Sequence, residues 1–499
     1  MASGHPPSDN VTAASTANGK KPHKRSFFGQ PRELAHIFGV EMWERFSFYG
    51  MQGILIYYLY FSATEGGLGM SQVEAAGIVG AYGGGVYLST VVGAWLADRM
   101  FGSERVLFAS AIIIVCGHLA LALLPGFVGV GIGLILVALG SGGLKANATS
   151  VVGTLYAPDD TRRDAGFSLF YLGINLGSFV GPIVTGALQS SVGFHIGFGA
   201  AAVGMVLGLI QYSIGRRGLP DNAREVPNPL SGMGRLMWGA VALVAIAAIV
   251  VLCLVGLIRA DNLPGIVIAA TVVAAIAYFI VLLTSRSLDT TERHRVYAFI
   301  PLFLASSAFW SLYQQQFTVI PIYAEQRLNL DVFGWAIPPT WVQSINPVFI
   351  ILLSGAFAAL WTKWGERQPS TPVKFGLGTA GVGVAFLIFL IWSGGQGATT
   401  PLLAIVLILF TFTIAELLLS PVGLSVSTKL APRSMRAQMV ALFFLSVALG
   451  SAVSGELAKL YESLPEATYF GIVGGIAIAL GLIVIAISPW VLKLMRGVR

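Results

Sequence analysis

Long apolar runs separated by short polar loops recur along the whole chain. Their cores read as Leu34–Phe61, Val73–Ala97, Val106–Leu124, Phe127–Thr154, Gly166–Leu188, Phe194–Ile214, Leu236–Leu257 and Ile266–Leu283. A second series reads Val296–Tyr323, Thr340–Leu360, Val373–Ile391, Leu402–Leu424, Ala437–Leu460 and Tyr469–Leu492. A helix needs about 20 apolar residues to cross the hydrocarbon core of a bilayer, so the pattern predicts about fourteen spans. The fold class this implies is an all-α polytopic membrane protein.

Composition agrees. The chain is 55% hydrophobic and 11% charged, against about 25% charged residues in soluble domains. Cys116 and Cys253 both fall in apolar runs, which implies no disulfide framework. Residues 1–30 are polar and rich in Ser, Gly and Pro; they read as a disordered tail without the apolar core of a signal peptide. A net charge of +7 could suggest nucleic acid, but its distribution argues against that. Basic residues cluster in alternate loops, among them Lys20–Arg25, Arg99 and Arg105, Arg162 and Arg163, Arg216–Arg235, Arg286–Arg295, Lys363–Lys374, Lys429–Arg436 and Lys493–Arg499. The other loops hold little more than Arg259, Arg327 and Lys459. This positive-inside pattern predicts a multi-pass protein of the plasma (inner) membrane with both termini cytoplasmic.

An internal echo organises the chain. "GAWLADRMFGSER" from Gly93 resembles "GAFAALWTKWGER" from Gly355, matching Glu104 with Glu366 and Arg105 with Arg367. The same offset carries Leu34 onto Val296. The expected domains are a tail at 1–30, a six-helix bundle at 31–215, a linker with two inserted spans at 216–290 and a second six-helix bundle with a short tail at 291–499. Two related bundles around a central site is a common transporter plan. Chance similarity between two loops is the plain alternative.

Several charges sit inside these spans. In "EMWERFSFYG", Glu41, Glu44, Arg45, Phe48, Tyr49 and Gln52 share one helical face, and Glu41 and Arg45 are spaced to pair. Each charge costs about 2.5–3.5 kcal/mol at the bilayer centre, so the face should line a bundle interior or a wet cavity. An internal salt bridge that only locks helices is the competing reading. Lys145, Asn175, Asn346 and Glu416 likewise interrupt apolar runs and need partners or a use. His118 reads as a packed residue rather than a proton relay.

"EMWERFSFYG" resembles the ExxERFxYYG motif of the proton-dependent oligopeptide transporter (POT) family of the major facilitator superfamily. "FYLGINLGSFVGP", "GAWLADRMFG", "GSGGLKANATSVVGTLY" and "AELLLSPVGLS" resemble further motifs of that family, in the family's order. The resemblance runs from about Phe28 to Leu492. It implies a major facilitator fold of two six-helix bundles plus two inserted helices, and a proton-coupled symporter that imports di- and tripeptides by alternating access. It places Glu41, Glu44 and Arg45 in proton coupling. It places Arg45, Tyr49, Tyr87, Lys145, Asn175, Trp310, Gln314, Asn346, Glu416 and Ser420 at the peptide. Asp98 and Arg99, with Gln52 and Gln314, fall at gating or structural positions. No cofactor is expected beyond the proton as coupling ion. The expected partners are short peptides, protons and the lipid bilayer, not nucleic acid, and the expected functional unit is a monomer.

The chemistry supports this from the residues alone. Arg45 and Lys145 suit a carboxylate, Glu416 an ammonium, and asparagines a peptide bond. A substrate carboxylate competing for Arg45 would free Glu41 to take a proton. About 100 mV and one pH unit supply roughly 2.3 plus 1.4 kcal/mol per proton. Departures from the family pattern are also visible. Gln52 and Gln314 stand where the family carries an Arg–acid ion pair, Phe48 replaces a tyrosine, Ala146 a proline and Phe443 a tryptophan. Gly80 stands where some relatives carry histidine. Importers of amino-acid derivatives, nitrate or drug-like peptidomimetics are the nearest rivals. A membrane enzyme is disfavoured because no HExxH site or nucleophile–base motif is present. A channel would not accumulate solute.

Overall fold

The computed structural model describes residues 27–157, 160–395, 397–433 and 435–498. Its α-helices are α1 (Glu33–Tyr60), α2 (Gln72–Leu96), α3 (Ser103–Leu123), α4 (Gly126–Thr154), α5 (Arg163–Ser191), α6 (Phe194–Gly215), α7 (Gly232–Leu254) and α8 (Leu263–Thr284). They continue as α9 (Thr290–Tyr313), α10 (Val319–Arg327), α11 (Ile345–Trp364), α12 (Thr371–Ile388), α13 (Leu402–Lys429), α14 (Arg436–Ser463) and α15 (Glu466–Leu494). Among the described residues, thirteen helical stretches are long and apolar enough to cross a membrane, with α9 and α10 forming one of them through a tight turn at Gln314–Phe317. The fourteenth expected span corresponds to α1, whose 28 residues extend about 42 Å, long enough to cross. Its buried charges lower its apolar character. The expected disorder at residues 1–26 lies outside the described residues. Residues 27–30, read as part of that tail, form a turn in which Phe27 bridges Gln30, and the Tyr156 hydroxyl donates to the Gln30 side chain at 3.0 Å.

Helices α1–α6 pack on one another, as do α9 and α11–α15. Between them, α8 lies against α2, α14 and α9, whereas α7 buries no residue and meets the rest through Trp238 on Trp95, ring centroids 5.1 Å apart. Large apolar side chains cover the outward faces, as a lipid-facing surface requires. Both cysteines are free and exposed on that surface.

Small residues set the closest helix contacts, because lipid provides no hydrophobic drive between helices and close backbone approach replaces it. On α1 and α5, Gly50 and Gly181 face each other, and Thr185 Oγ1 donates to the Gly50 carbonyl at 2.8 Å. On α2 and α14, a Cβ at Gly80 would lie 2.6 Å from the Gly455 nitrogen, which explains why no side chain occupies that position.

The segment after α6 folds back over the first bundle. Glu104, fully buried, accepts from Arg216 at 2.6 and 3.1 Å and lies 3.6 Å from Arg224. The Arg216 guanidinium also stacks 3.6 Å from the Phe108 ring centroid. Asp98 accepts twice from Asn228 Nδ2, at 3.0 and 3.1 Å, and the Arg99 carbonyl accepts from the Leu230 amide at 3.0 Å. Gly102, at φ 81°, makes the turn that brings this loop against the Arg224 carbonyl. The echo position Glu366 is exposed, since no linker meets the second loop. Of the basic residues on the sparsely charged side, Arg327 pairs with Glu466 at 3.0 Å and Lys459 with Glu456 at 2.8 Å, so both serve locally.

Among the described residues, three hydrogen bonds join the first bundle to the second. Tyr57 donates to the Pro321 carbonyl (3.0 Å), Trp341 Nε1 to Ile183 (3.1 Å) and Ser344 Oγ to Phe179 (2.8 Å). All lie in the half of the molecule away from the chain termini, together with the Gly80–Gly455 contact. That end is sealed. Gly80→Val is expected to push α2 from α14 and open the seal, lengthening the distance between spin labels on the far ends of these helices. An unchanged distance distribution would show that the glycine contact does not hold the seal.

Candidate functional site

The charged face of α1 folds as its spacing predicts. Arg45 donates to Glu41 Oε1 from Nη2 at 2.7 Å and from Nε at 2.9 Å, and Nε also lies 3.1 Å from Glu44 Oε2. One guanidinium therefore serves two carboxylates, all nearly inaccessible. Helical phase separates their surroundings. Glu41 and Arg45 line a central cavity, while Glu44, fully buried, lies behind them and is not part of its wall. Glu41 Oε2 is buried without a hydrogen-bond partner.

The cavity has a volume of about 510 Å³ and lies between the two bundles. From the first bundle it is lined by Glu41, Arg45, Tyr49, Gln52, Tyr87, Lys145 and Asn175. From the second it is lined by Trp310, Gln314, Asn346, Glu416 and Ser420. Every residue expected at a peptide thus borders one space. Its exposed lining, at Thr149, Tyr171, Pro421 and Leu424, lies toward the chain termini; Gln52, Gln316 and Phe317 at the other end are buried. The cavity opens to one side only.

The poles behave differently from a simple pair. Lys145 Nζ sits 4.3 Å from the Tyr87 ring centroid and 5.6 Å from that of Phe48, a cation–π setting. Phe48, one of the departures noted above, serves this contact with its ring alone. Glu416 accepts from the Tyr313 hydroxyl at 2.5 Å and from Asn346 Nδ2 at 3.3 Å, and Asn346 also donates to Thr413 at 3.0 Å. Lys145 and Glu416 form no ion pair with each other among the described residues; each is held by neutral partners from its own bundle. Asn175 donates within its own helix to the Tyr171 carbonyl at 2.9 Å.

The four residues expected at gating or structural positions fall into two groups. Gln52 and Gln314 both line the cavity, yet no hydrogen bond joins them among the described residues, and the Gln52 side-chain oxygen has no partner. Asp98 and Arg99 stand apart from the cavity and fasten the linker to the loop between α2 and α3. Residues that escaped the sequence reading are Tyr313, Thr413 and Gln343. Tyr313 follows Trp310 by three residues on α9, a spacing that puts both rings toward one side. Thr413 precedes Glu416 by three residues on α13, so the same spacing could have found it.

Residues 104–486 match the POT family. The chain is 40% identical over 494 residues to a di-/tripeptide transporter of Lactococcus lactis subsp. cremoris, covering 95% of this chain and 99% of that one. Its structure resembles a variant of peptide transporter POT in complex with alafosfalin, with TM-score 0.88 and 44% identity over 95% of this chain and 97% of the other. It also resembles a POT family transporter in complex with 5-aminolevulinic acid, with TM-score 0.89 and 36% identity over 93% and 98% of the two chains.

Hydrogen bonds to charged groups contribute about 1.5–3 kcal/mol. Tyr313→Phe is expected to lower the stability of the purified protein by that order, read as a lower midpoint of thermal unfolding. Combined with Glu416→Gln, the loss should be smaller than the sum of the single losses. Strict additivity would show that the hydroxyl and the carboxylate do not interact.

Proposed function

The chain belongs to the POT family, and from that premise we propose that it is a proton-coupled symporter importing di- and tripeptides by alternating access. The observation that carries this reading is a single cavity between two bundles with cationic Arg45 and Lys145 on one wall and Glu416 on the other. A short peptide has a carboxylate and an ammonium whatever its side chains. The carboxylate suits the guanidinium and ammonium of the first bundle. The peptide's ammonium suits Glu416, whose Tyr313 and Asn346 partners leave it oriented at the wall. Because the poles belong to different bundles, a bound peptide pulls the halves together across its own length. Aromatic neighbours such as Tyr49, Tyr87 and Trp310 accept varied side chains without reading them.

Proton coupling follows from the sharing of Arg45. Arg45 is held by Glu41 and Glu44. A peptide carboxylate that engages Arg45 draws positive charge away from Glu41. A carboxylate losing its cation in a dry site takes up a proton more readily. Substrate binding and proton uptake are then one event. With neutral glutamines at 52 and 314, no titratable group acts at those positions, and the coupled proton falls to Glu41, Glu44 or Glu416.

The alternating basic loops put the termini in the cytoplasm of an inner-membrane protein. On that orientation the cavity faces the cytoplasm, with the three inter-bundle hydrogen bonds closing the outer side. The site is complete within one chain, which supports a monomer as the working unit. A second reading, transport of another small zwitterion, is favoured by the same two poles, since they recognise charged ends rather than a peptide bond. Nitrate lacks the cationic end that Glu416 would receive.

The test is uptake of labelled dipeptide into proteoliposomes under imposed pH and voltage gradients, with free amino acids, 5-aminolevulinic acid and nitrate as competitors. Accumulation that follows the proton gradient and is blocked by peptides supports the proposal; uptake indifferent to both gradients refutes it. In the same vesicles, Glu41→Gln is expected to abolish proton-driven accumulation while retaining peptide exchange, and full accumulation by this variant would move the proton elsewhere. Lys145→Ala is expected to weaken peptides with a free carboxylate by about tenfold, one lost charge-assisted contact. Carboxy-amidated peptides should lose much less. Equal losses would make the lysine structural.

A further inference from the structure

The sealed end of the cavity carries hydrogen-bonding groups that the protein itself leaves unpaired. Gln52 Oε1 and both side-chain polar atoms of Gln343 are buried without a partner, and both side chains line the cavity. Gln343 sits in the short helical turn Pro339–Ser344. On one side of it Trp341 donates to Ile183, and on the other Ser344 donates to Phe179, at 3.1 and 2.8 Å. These two bonds fix the turn against α5. A Cβ built on Gly53 would lie 3.6 Å from Gln343 Oε1, which places that amide against α1 beside Gln52. The charged groups are nearer the mouth: Arg45 precedes Gln52 by seven residues, about 10 Å along the helix.

Buried polar groups are normally satisfied, and those bordering a cavity are satisfied by what fills it. We propose that this end is a subsite for an uncharged carboxamide, the side chain of an asparagine or glutamine residue in the transported peptide. The inventories match. A primary amide brings two N–H donors for the oxygens of Gln52 and Gln343, and one carbonyl oxygen that accepts from Gln343 Nε2. A carboxylate of the same shape has no donor for the two oxygens and carries a charge into a neutral pocket. A thioether of similar length leaves all three groups unpaired. Sites built to hydrogen-bond a substrate reject the analogue that lacks the group. Gln52 is thereby a specificity residue where the family pattern has a charge.

The inference rests on the peptide reading, and its test separates the two. Uptake of labelled Ala-Ala into proteoliposomes is competed with Ala-Gln, Ala-Met and Ala-Glu at neutral pH, and with the three reversed sequences. In at least one order, the glutamine peptide is expected to compete about tenfold more strongly than the methionine peptide, with the glutamate peptide weakest. Gln343→Leu, normalised to its own Ala-Ala uptake, should bring the glutamine-to-methionine ratio close to one. Glutamine and methionine peptides competing within twofold in both orders overturns the subsite while leaving peptide transport intact. A Gln343→Leu protein that keeps the full preference also overturns it. Should that variant fail to fold, the wild-type ratios alone decide. Absence of any Ala-Ala uptake overturns the peptide reading and the subsite with it.

Discussion

One guanidinium shared by two carboxylates inside a membrane helix governs this protein. Arg45 contacts Glu41 at 2.7 Å and Glu44 at 3.1 Å, with all three side chains almost wholly buried. Separately these charges would cost about 2.5–3.5 kcal/mol each at the bilayer centre. Together they neutralise one positive and two negative charges only in part, and the residual negative charge has nowhere to go but to a proton or a cationic neighbour. Breaking a buried pair by removing one partner is far more costly than keeping it. A substrate carboxylate that borrows Arg45 therefore needs compensation at Glu41 or Glu44, and the smallest compensation available is a proton. In the proposed function, the energetics of this buried triad become the energetics of coupling.

The rest of the architecture leaves Glu41 and Arg45 facing a cavity that opens toward the chain termini. Gly80 against Gly455 and Gly50 against Gly181 let helices approach closely at the far end. The three hydrogen bonds between bundles lie there too, and they use uncharged donors and backbone acceptors. Neutral hydrogen bonds contribute about 0.5–1.5 kcal/mol net each. A seal of this kind opens without moving a charge through the hydrocarbon core, which suits a carrier that must open it in every cycle. The linker contacts of Asp98 and Glu104 brace the first bundle at the other end.

Much of this was readable in the residue pattern. Apolar run length predicts the thirteen apolar helical stretches and the long charged helix α1, because the hydrocarbon thickness imposes one length on each. The Glu41/Arg45 pairing follows from helical spacing, and each residue expected at the substrate lines the cavity. What escaped depends on partners from distant helices. The pattern identifies Lys145 and Glu416 as costly charges, but a direct attraction between them is one of several solutions. The fold uses another, with Tyr87 beneath the lysine and Tyr313 on the carboxylate. The Gln52 and Gln314 amides share an offset in the repeat yet do not bond, since helical phase aims both at the cavity rather than at each other. The Asp98–Asn228 clasp joins residues far apart in sequence through an irregular loop, where no periodicity exists to be read.

The central claim, that binding a peptide at Arg45 takes up a proton, is tested most directly without a membrane. Purified protein in weakly buffered detergent solution is mixed with Ala-Ala and the free proton concentration is followed with an indicator dye. The account predicts net proton uptake that saturates with peptide occupancy and disappears in Glu41→Gln protein that still binds the peptide. Saturable peptide binding with no proton uptake at any pH between about 5 and 8, the range in which protein stability is usually greatest, would contradict it.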